Sequence, residues 1–227
     1  MVFPFKLFFL LFALICNLPV FAQSIYGIKL NVGISKIPVR SSGYTSTSSN
    51  STIASHHSSP SFAAGGFYRY NFKNSYFGTE LIYDLFSGVQ KYHQDHVTDE
   101  AGTYIGYIRS RVVRKYGYLA IPVYYGHNFN RFSINYGFQA GYMLTGDIRD
   151  VGEIYLSGNY SKFDNLHDNA TQYLNRFTIG PRAAVSYDLN DKFSLEINAY
   201  YGLNNVYKDS VFSQRVMQIL GGIRFNL

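Results

Sequence analysis

The stretch F-T-I-G-P-R-A-A-V-S-Y-D-L-N-D-K-F-S-L-E-I-N-A-Y-Y-G-L, residues 177–203, decides the fold. Apolar residues recur at every second position. Phe177, Ile179, Ala183, Val185, Tyr187 and Leu189 share one face of its first half. Phe193, Leu195, Ile197, Ala199, Tyr201 and Leu203 share one face of its second half. The opposite faces carry Thr178, Arg182, Ser186 and Asp188, then Ser194, Glu196, Asn198 and Asn204. Period two predicts two β-strands, and Asn190, Asp191 and Lys192 predict the turn between them. Each strand is long enough for a tilted bilayer crossing of about 9–11 residues. One apolar face and one polar, charged face is how a membrane β-barrel strand reads.

Composition agrees. Charged residues make up 15% of the 227 and aromatics 18%, with 22 Tyr and 19 Phe. Such a balance suits a wall that meets lipid and interfacial water better than a soluble surface. Trp is absent, so any aromatic girdle must use Tyr and Phe. The net charge is +6, but Lys and Arg are scattered singly, which argues against a nucleic-acid partner. No pattern calls for a cofactor.

The first 22 residues read as a signal peptide. Lys6 precedes an apolar run from Leu7 to Cys16, and Val20, Phe21 and Ala22 lead to a mature start at Gln23. Residues 23–227 then form one barrel domain. Cys16 is the only cysteine, so the mature chain has none; Ile15 before it fits a lipidation signal poorly. No later apolar run reaches the roughly 18 residues of a membrane helix, which leaves a closed barrel as the way to satisfy the backbone in lipid.

Alternation predicts eight antiparallel up-and-down strands, near 24–34, 62–72, 77–89, 116–129, 132–145, 177–189, 193–203 and 215–227. Short links at 73–76, 130–131 and 190–192 alternate with polar loops at 36–61, 90–112, 146–174 and 204–214. In the second of these, 104–113 is a candidate strand extension above the membrane. Short turns on one side and long loops on the other match a bacterial outer-membrane barrel. Phe72, Phe77, Phe129, Phe132, Phe193 and Phe225 sit at the short-turn end, as a periplasmic girdle. Pro122 predicts a local bulge or missing bond. Arg131 is a poor residue for positive φ, so a turn wider than two residues is expected there.

Lys29, Arg69, Glu80, Asp84, Arg182, Asp188, Glu196 and Arg224 all fall opposite the apolar face. They are expected to be structural lumen charges, because an eight-stranded barrel is just wide enough to be filled by its side chains. If Phe72 faces Phe77, Arg69 stands opposite Glu80. If Leu189 faces Phe193, Arg182 faces Tyr200 and Glu196 faces Ser186. Arg182 then seeks Glu80 or Asp84, and Glu196 seeks Arg69 or Arg224.

The segment K-Y-G-Y-L-A-I-P-V-Y-Y-G-H-N-F, residues 115–129, resembles the Y-L-E-I-P-L-L-L-K-Y-x-F signature of the PorT-like outer-membrane β-barrel family of Bacteroidetes-type bacteria. F-S-I-N-Y-G-F-Q-A-G-Y-M-L, F-T-I-G-P-R-A-A-V-S-Y-D-L and the terminal L-G-G-I-R-F-N-L are similar to its later strands. Ala120 stands where that family has a lumenal glutamate. The resemblance implies an outer-membrane barrel, without a defined activity for most members and with a link to the type IX secretion machinery for a few.

Other motifs are thin. His93 and His96, with Asp95, Asp99 and Glu100, offer a metal set, and His56 and His57 add nitrogens, but on polar loops without a fixed frame. His167 and Asp168 are rim candidates for a lipid- or peptide-modifying enzyme, without a recognisable nucleophile. His127 reads as interfacial. Asp209, Ser210 and Val211 match a short O-glycosylation pattern. The expectation is a non-enzymatic, monomeric protein of the bacterial outer membrane. It would have no catalytic, cofactor or metal residues, and its partners would be the lipid bilayer and proteins met through outer loops or periplasmic turns. The alternative is an accessory part of an envelope or type IX secretion machine.

Overall fold

A computed structural model describes residues 23–41, 53–167, 170–208 and 212–227. The predicted signal peptide, Asp168, and the triplet Asp209, Ser210 and Val211 lie outside them. Eleven strands are seen: β1 (Gln23–Lys36), β2 (Val39–Ser41), β3 (Ile53–Phe72), β4 (Ser75–Thr98), β5 (Tyr104–Phe129), β6 (Phe132–Leu156), β7 (Asn159–His167), β8 (Phe177–Asp188), β9 (Phe193–Tyr201), β10 (Phe212–Gln214) and β11 (Met217–Asn226), with one 3-10 turn at Ala170–Tyr173. Eight of them close a ring in the order β1-β3-β4-β5-β6-β8-β9-β11, sealed by antiparallel β1–β11 pairing. The fold is an eight-stranded antiparallel barrel.

The alternation sorts as period two requires. Tyr26, Ile28, Leu30, Val32 and Ile34 are exposed on the outside of β1, while Lys29 and Asn31 are buried inside. Phe132, Ile134, Tyr136 and Phe138 face out from β6, while Ser133, Asn135 and Gln139 face in. An apolar exterior and a polar interior is the order that lipid imposes. At the short-turn end the rings of Phe72 and Phe77 stack at 5.4 Å, and those of Phe193 and Phe225 lie 5.0 Å apart. His127 sits among them, its Nδ1 3.0 Å from Ser75 Oγ.

Three expectations about connections are corrected. The link after β3 is the two residues Lys73 and Asn74, because Phe72 pairs with Ser75. Lys73 takes the left-handed φ of 53° that such a tight turn needs. The turn at Asn130 and Arg131 also has two residues, with Phe129 facing Phe132; Asn130 alone takes the positive φ, at 57°. The outer connections are largely strand. β3 starts at Ile53 within the Ser-rich segment, β4 continues to Thr98, and β6 and β7 form a hairpin within the expected third loop, while β5 reaches back to Tyr104 as the candidate extension at 104–113 anticipated. Polar composition suggested loops because a strand exposed to water on both faces loses its apolar alternation.

Irregularities mark where the chain changes role. The β4–β5 ladder skips the rungs between Thr79↔Val123 and Ile82↔Ala120, as expected beside Pro122, and Thr79 Oγ1 donates to the Pro122 carbonyl at 3.0 Å. On β6, Gly117 pairs with Thr145 but Tyr118 pairs with Met143. Leu144 is therefore a bulge residue, and Thr145 beside it is exposed.

Candidate functional site

Read from the short-turn end, the inner side chains of β4 are Tyr76, Glu80, Ile82, Asp84 and Phe86, and each marks a layer of the lumen. Tyr76 and Tyr124 meet edge to face at 6.2 Å. Above them Lys29 Nζ donates to Glu80 Oε2 at 2.9 Å and to Glu196 Oε1 at 2.6 Å. Arg182 Nη1 donates to Glu80 Oε2 at 2.8 Å, and its Nη2 reaches Glu196 Oε1 at 3.4 Å. Arg224 Nη2 donates to Glu80 Oε1 at 3.0 Å, and its Nε lies 2.8 Å from Glu196 Oε2. Three cations thus share two carboxylates, with all five side chains essentially out of contact with solvent. Asn31 and Asn198 also donate to Glu196 Oε1, each at 3.3 Å. Burying such charges is tolerable only with this pairing.

The next layers close the barrel outward. Ala63, Ile82, Ala120 and Leu220 form a small apolar layer. Ala120 is part of that packing, so its lack of charge leaves no gap in the ion cluster. Asp84 accepts from Gln139 Nε2 at 2.9 Å and from Gln218 Nε2 at 2.8 Å. Above it Ile37, Phe86, Tyr116, Tyr118, Met143, Leu174, Tyr200, Val206 and Val216 make an apolar cap, and the chain next to Ile37 and Val216 forms the short β2–β10 sheet.

The eight sequence-derived charges fall in four places. Lys29, Glu80, Arg182, Glu196 and Arg224 meet in one cluster. Asp84 is buried with amide partners. Arg69 is buried with its guanidinium 4.6 Å over the Tyr76 ring. Asp188 stays half-buried at the short-turn rim, where Ser194 Oγ donates to it at 2.7 Å. The Arg69–Glu80 pairing does not form. The two-residue turn sets Arg69 opposite Gly78 and Glu80 opposite Phe67. The hairpin register is as expected, with Arg182 facing Tyr200 and Ser186 facing Glu196. Lys29 as the bridge between both glutamates was not anticipated, since cross-lumen neighbours leave no trace in the spacing of one strand. Arg114, also buried, was missed because it lies between the expected loop at 90–112 and the strand expected from 116; its even-numbered parity with Tyr116 and Tyr118 was the available signal.

Outside the belt, β4, β5 and β6 run to 24, 26 and 25 residues. A crossing takes about 9–11, so these strands continue well beyond the bilayer. With β7 they build a one-sided blade. Its outward face carries Lys91 against Arg111, and His93 against Arg109, Glu153 and Lys162. Arg109 reaches Asp95 at 3.2 Å and Glu153 at 3.8 Å, while no carboxylate among the described residues pairs with Lys91 or Arg111. These side chains line an open depression of about 560 Å³. His93 Nε2 lies 2.6 Å from Asp95 Oδ2. Among the described residues no group of three potential metal ligands comes together.

On the blade's flank Arg149 Nε donates to Asp164 Oδ1 at 2.9 Å. This hydrogen bond, then the guanidinium charge, lowers the Asp164 carboxyl below its usual range. A lowered folded-state value means stabilisation that is present above the unfolded pKa and lost as pH falls through the folded one. Protection of the β7 amides, read as exchange relative to the intrinsic rate at each pH, is therefore expected to be unchanged between neutral pH and about pH 5, and to fall only below about pH 4. Equal protection in Asp164→Asn and wild type at neutral pH would remove this ion pair from the hairpin's stability.

A closed ring with an apolar outside, a charged sealed inside, short turns at one end and tall strands at the other defines an eight-stranded outer-membrane β-barrel. The chain belongs to the outer membrane protein beta-barrel domain family, whose model matches residues 21–208. It is a protein of the bacterial outer membrane. Among solved structures it is similar to Ail, the attachment invasion locus protein of Yersinia pestis, crystallised with the heparin analogue sucrose octasulfate. That match has 11% identity and a TM-score of 0.39, covering 90% of this chain and 100% of that one. It is also similar to Neisserial surface protein A, at 11% identity and TM-score 0.35, over 91% and 99% of the two chains. For OprG from Pseudomonas aeruginosa the values are 11% and 0.37, over 91% and 95%. No curated protein matches the chain.

Proposed function

We propose that this chain is a non-catalytic, monomeric barrel that acts as a surface-interaction protein through its outer blade. Its main support is the contrast between the two ends of the molecule. The lumen is filled by an ion cluster and an apolar cap, which disfavours a diffusion channel. Meanwhile β4, β5 and β6 outrun the bilayer to display a basic depression, and projecting segments of a rigid scaffold are where binding concentrates. In this reading residues 1–22 are a signal peptide removed before Gln23, and the eight inner charges serve structure. The resemblance of residues 118–122 to the PorT-like signature supports a second reading, an accessory part of an envelope or type IX secretion machine that works through periplasmic turns or the barrel wall.

The depression suits an anionic partner. Mature protein in detergent is expected to bind immobilised dextran sulfate, with affinity falling as salt rises. Lys91→Glu with Arg111→Glu should weaken binding by about tenfold or more, at roughly 0.4 kcal/mol per exposed charge removed and again per charge reversed. Unchanged binding by a variant that keeps heat-modifiable gel migration would reject the blade as the binding surface. Co-purification with envelope-machine components, abolished by changes at Lys73 and Lys192 rather than in the blade, would favour the second reading.

A further inference from the structure

The wall is shortest on the side away from the blade. β1 ends at Lys36, β9 ends at Tyr201 and β11 begins at Met217, and these three residues form the last outer rung of the ring. Around this rung lies a groove of about 380 Å³ lined by Ile34, Lys36, Ala199, Tyr201, Met217 and Ile219, with Ser35, Tyr200 and Gln218 at its floor. Ile34, Met217 and Ile219 belong to the exposed outer face, so the groove opens toward lipid. It sits where the apolar belt ends, because Ile34 is the last apolar outward residue of β1.

Two cations stand over this apolar groove. Lys36 is half-buried at its edge, and the exposed Arg215 donates from Nη1 to the Tyr201 hydroxyl at 3.2 Å. No carboxylate among the described residues pairs with either. A second Arg–Tyr pair recurs elsewhere on the outer rim, where Arg176 Nη1 donates to the Tyr142 hydroxyl at 3.3 Å. The tyrosine hydroxyls thereby fix guanidinium groups at the level of the lipid headgroups, where amphipathic rings and long cationic side chains are stable.

We propose that the β1–β9–β11 groove seats an acyl chain of a phosphate-bearing lipid of the outer leaflet, with Lys36 and Arg215 on its phosphate. The groove supplies apolar area at the depth of the chain. The two unpaired cations supply charge complementarity at the depth of the phosphate. Guanidinium and ammonium groups are the usual partners of that anion. The inference rests on the barrel's place in the membrane and is independent of the blade's role.

Native mass spectrometry of the folded, full-length mature barrel tests it, with bisphosphorylated lipid A, its dephosphorylated form and inorganic phosphate as probes. Wild type is expected to retain the bisphosphorylated lipid roughly tenfold or more over the dephosphorylated one. Lys36→Gln with Arg215→Gln should abolish that preference, while Lys73→Gln at the opposite edge should leave it intact. Lys36→Gln alone breaks no hydrogen bond among the described residues, and it should reduce retention several-fold in a barrel that still migrates as folded. Equal retention of both lipid forms by wild type, or unchanged retention by the folded double variant, would overturn the proposal. So would displacement of the lipid by inorganic phosphate alone, or a dimer that covers the groove.

Discussion

Glu80→Gln is expected to cost the barrel about 3–5 kcal/mol, the range for removing one partner from a buried ion pair. Glu80 is contacted by Lys29, Arg182 and Arg224 at 2.8–3.0 Å. Neutralising it leaves three buried cations to share Glu196. Among the described residues the apolar cap covers the outer side of the cluster, which separates these cations from outer water. Urea titration of the heat-modifiable form in lipid vesicles reads the effect as a lower unfolding midpoint. The pairing also predicts a rescue. Adding Lys29→Met removes one of the stranded cations and should restore much of the loss. If the single variant unfolds at the wild-type midpoint, the cluster does not govern stability. If the double variant is no better than the single, the loss is one of packing rather than charge.

The closing seam should respond as sharply. Gly222 faces Asn31 across the β1–β11 ladder, and a Cβ there would fall 2.1 Å from the Leu30 carbonyl oxygen and 2.2 Å from Asn31 Oδ1. Gly27, on the same seam, would place one 2.0 Å from the Phe225 carbonyl oxygen. A backbone carbonyl within a ladder cannot swing aside as a side-chain tip does. Gly222→Val is therefore expected to prevent the ring from closing, which on a gel is loss of the heat-modifiable band; overpacking alone costs about 1–3 kcal/mol. Gly221 is the internal control, since its nearest neighbour to an added Cβ is the Glu196 carbonyl oxygen at 3.9 Å. Gly221→Ala should fold. A folded Gly222→Val barrel would show that the seam has slack.

Residues 177–203 show what alternation can and cannot reveal. Their two faces, their turn and the register that sets Arg182 against Tyr200 were all legible, because a period of two and a three-residue turn leave one pairing. The same reasoning failed at Arg69 and Glu80. There the pairing depended on whether the chain turned over two residues or four, and Lys73 gave no sign that it would adopt positive φ. It failed again from Ile53 to Pro60 and from Gln90 to Thr98. Those strands leave the membrane, water meets both faces, and the apolar period that reveals a strand disappears.

The sequence by itself determined that this chain is an outer-membrane barrel with charges inside, since lipid on one face and a narrow lumen on the other demand that pattern strand by strand. Only the tertiary structure decided which charges meet. Lys29, Glu80, Arg182, Glu196 and Arg224 come from five strands, and ring closure alone brings them together. The blade and the low outer rung at Lys36, Met217 and Tyr201 were likewise set by where each strand stops. Strand ends above a membrane are fixed by pairing with neighbours, and pairing is a property of the folded ring.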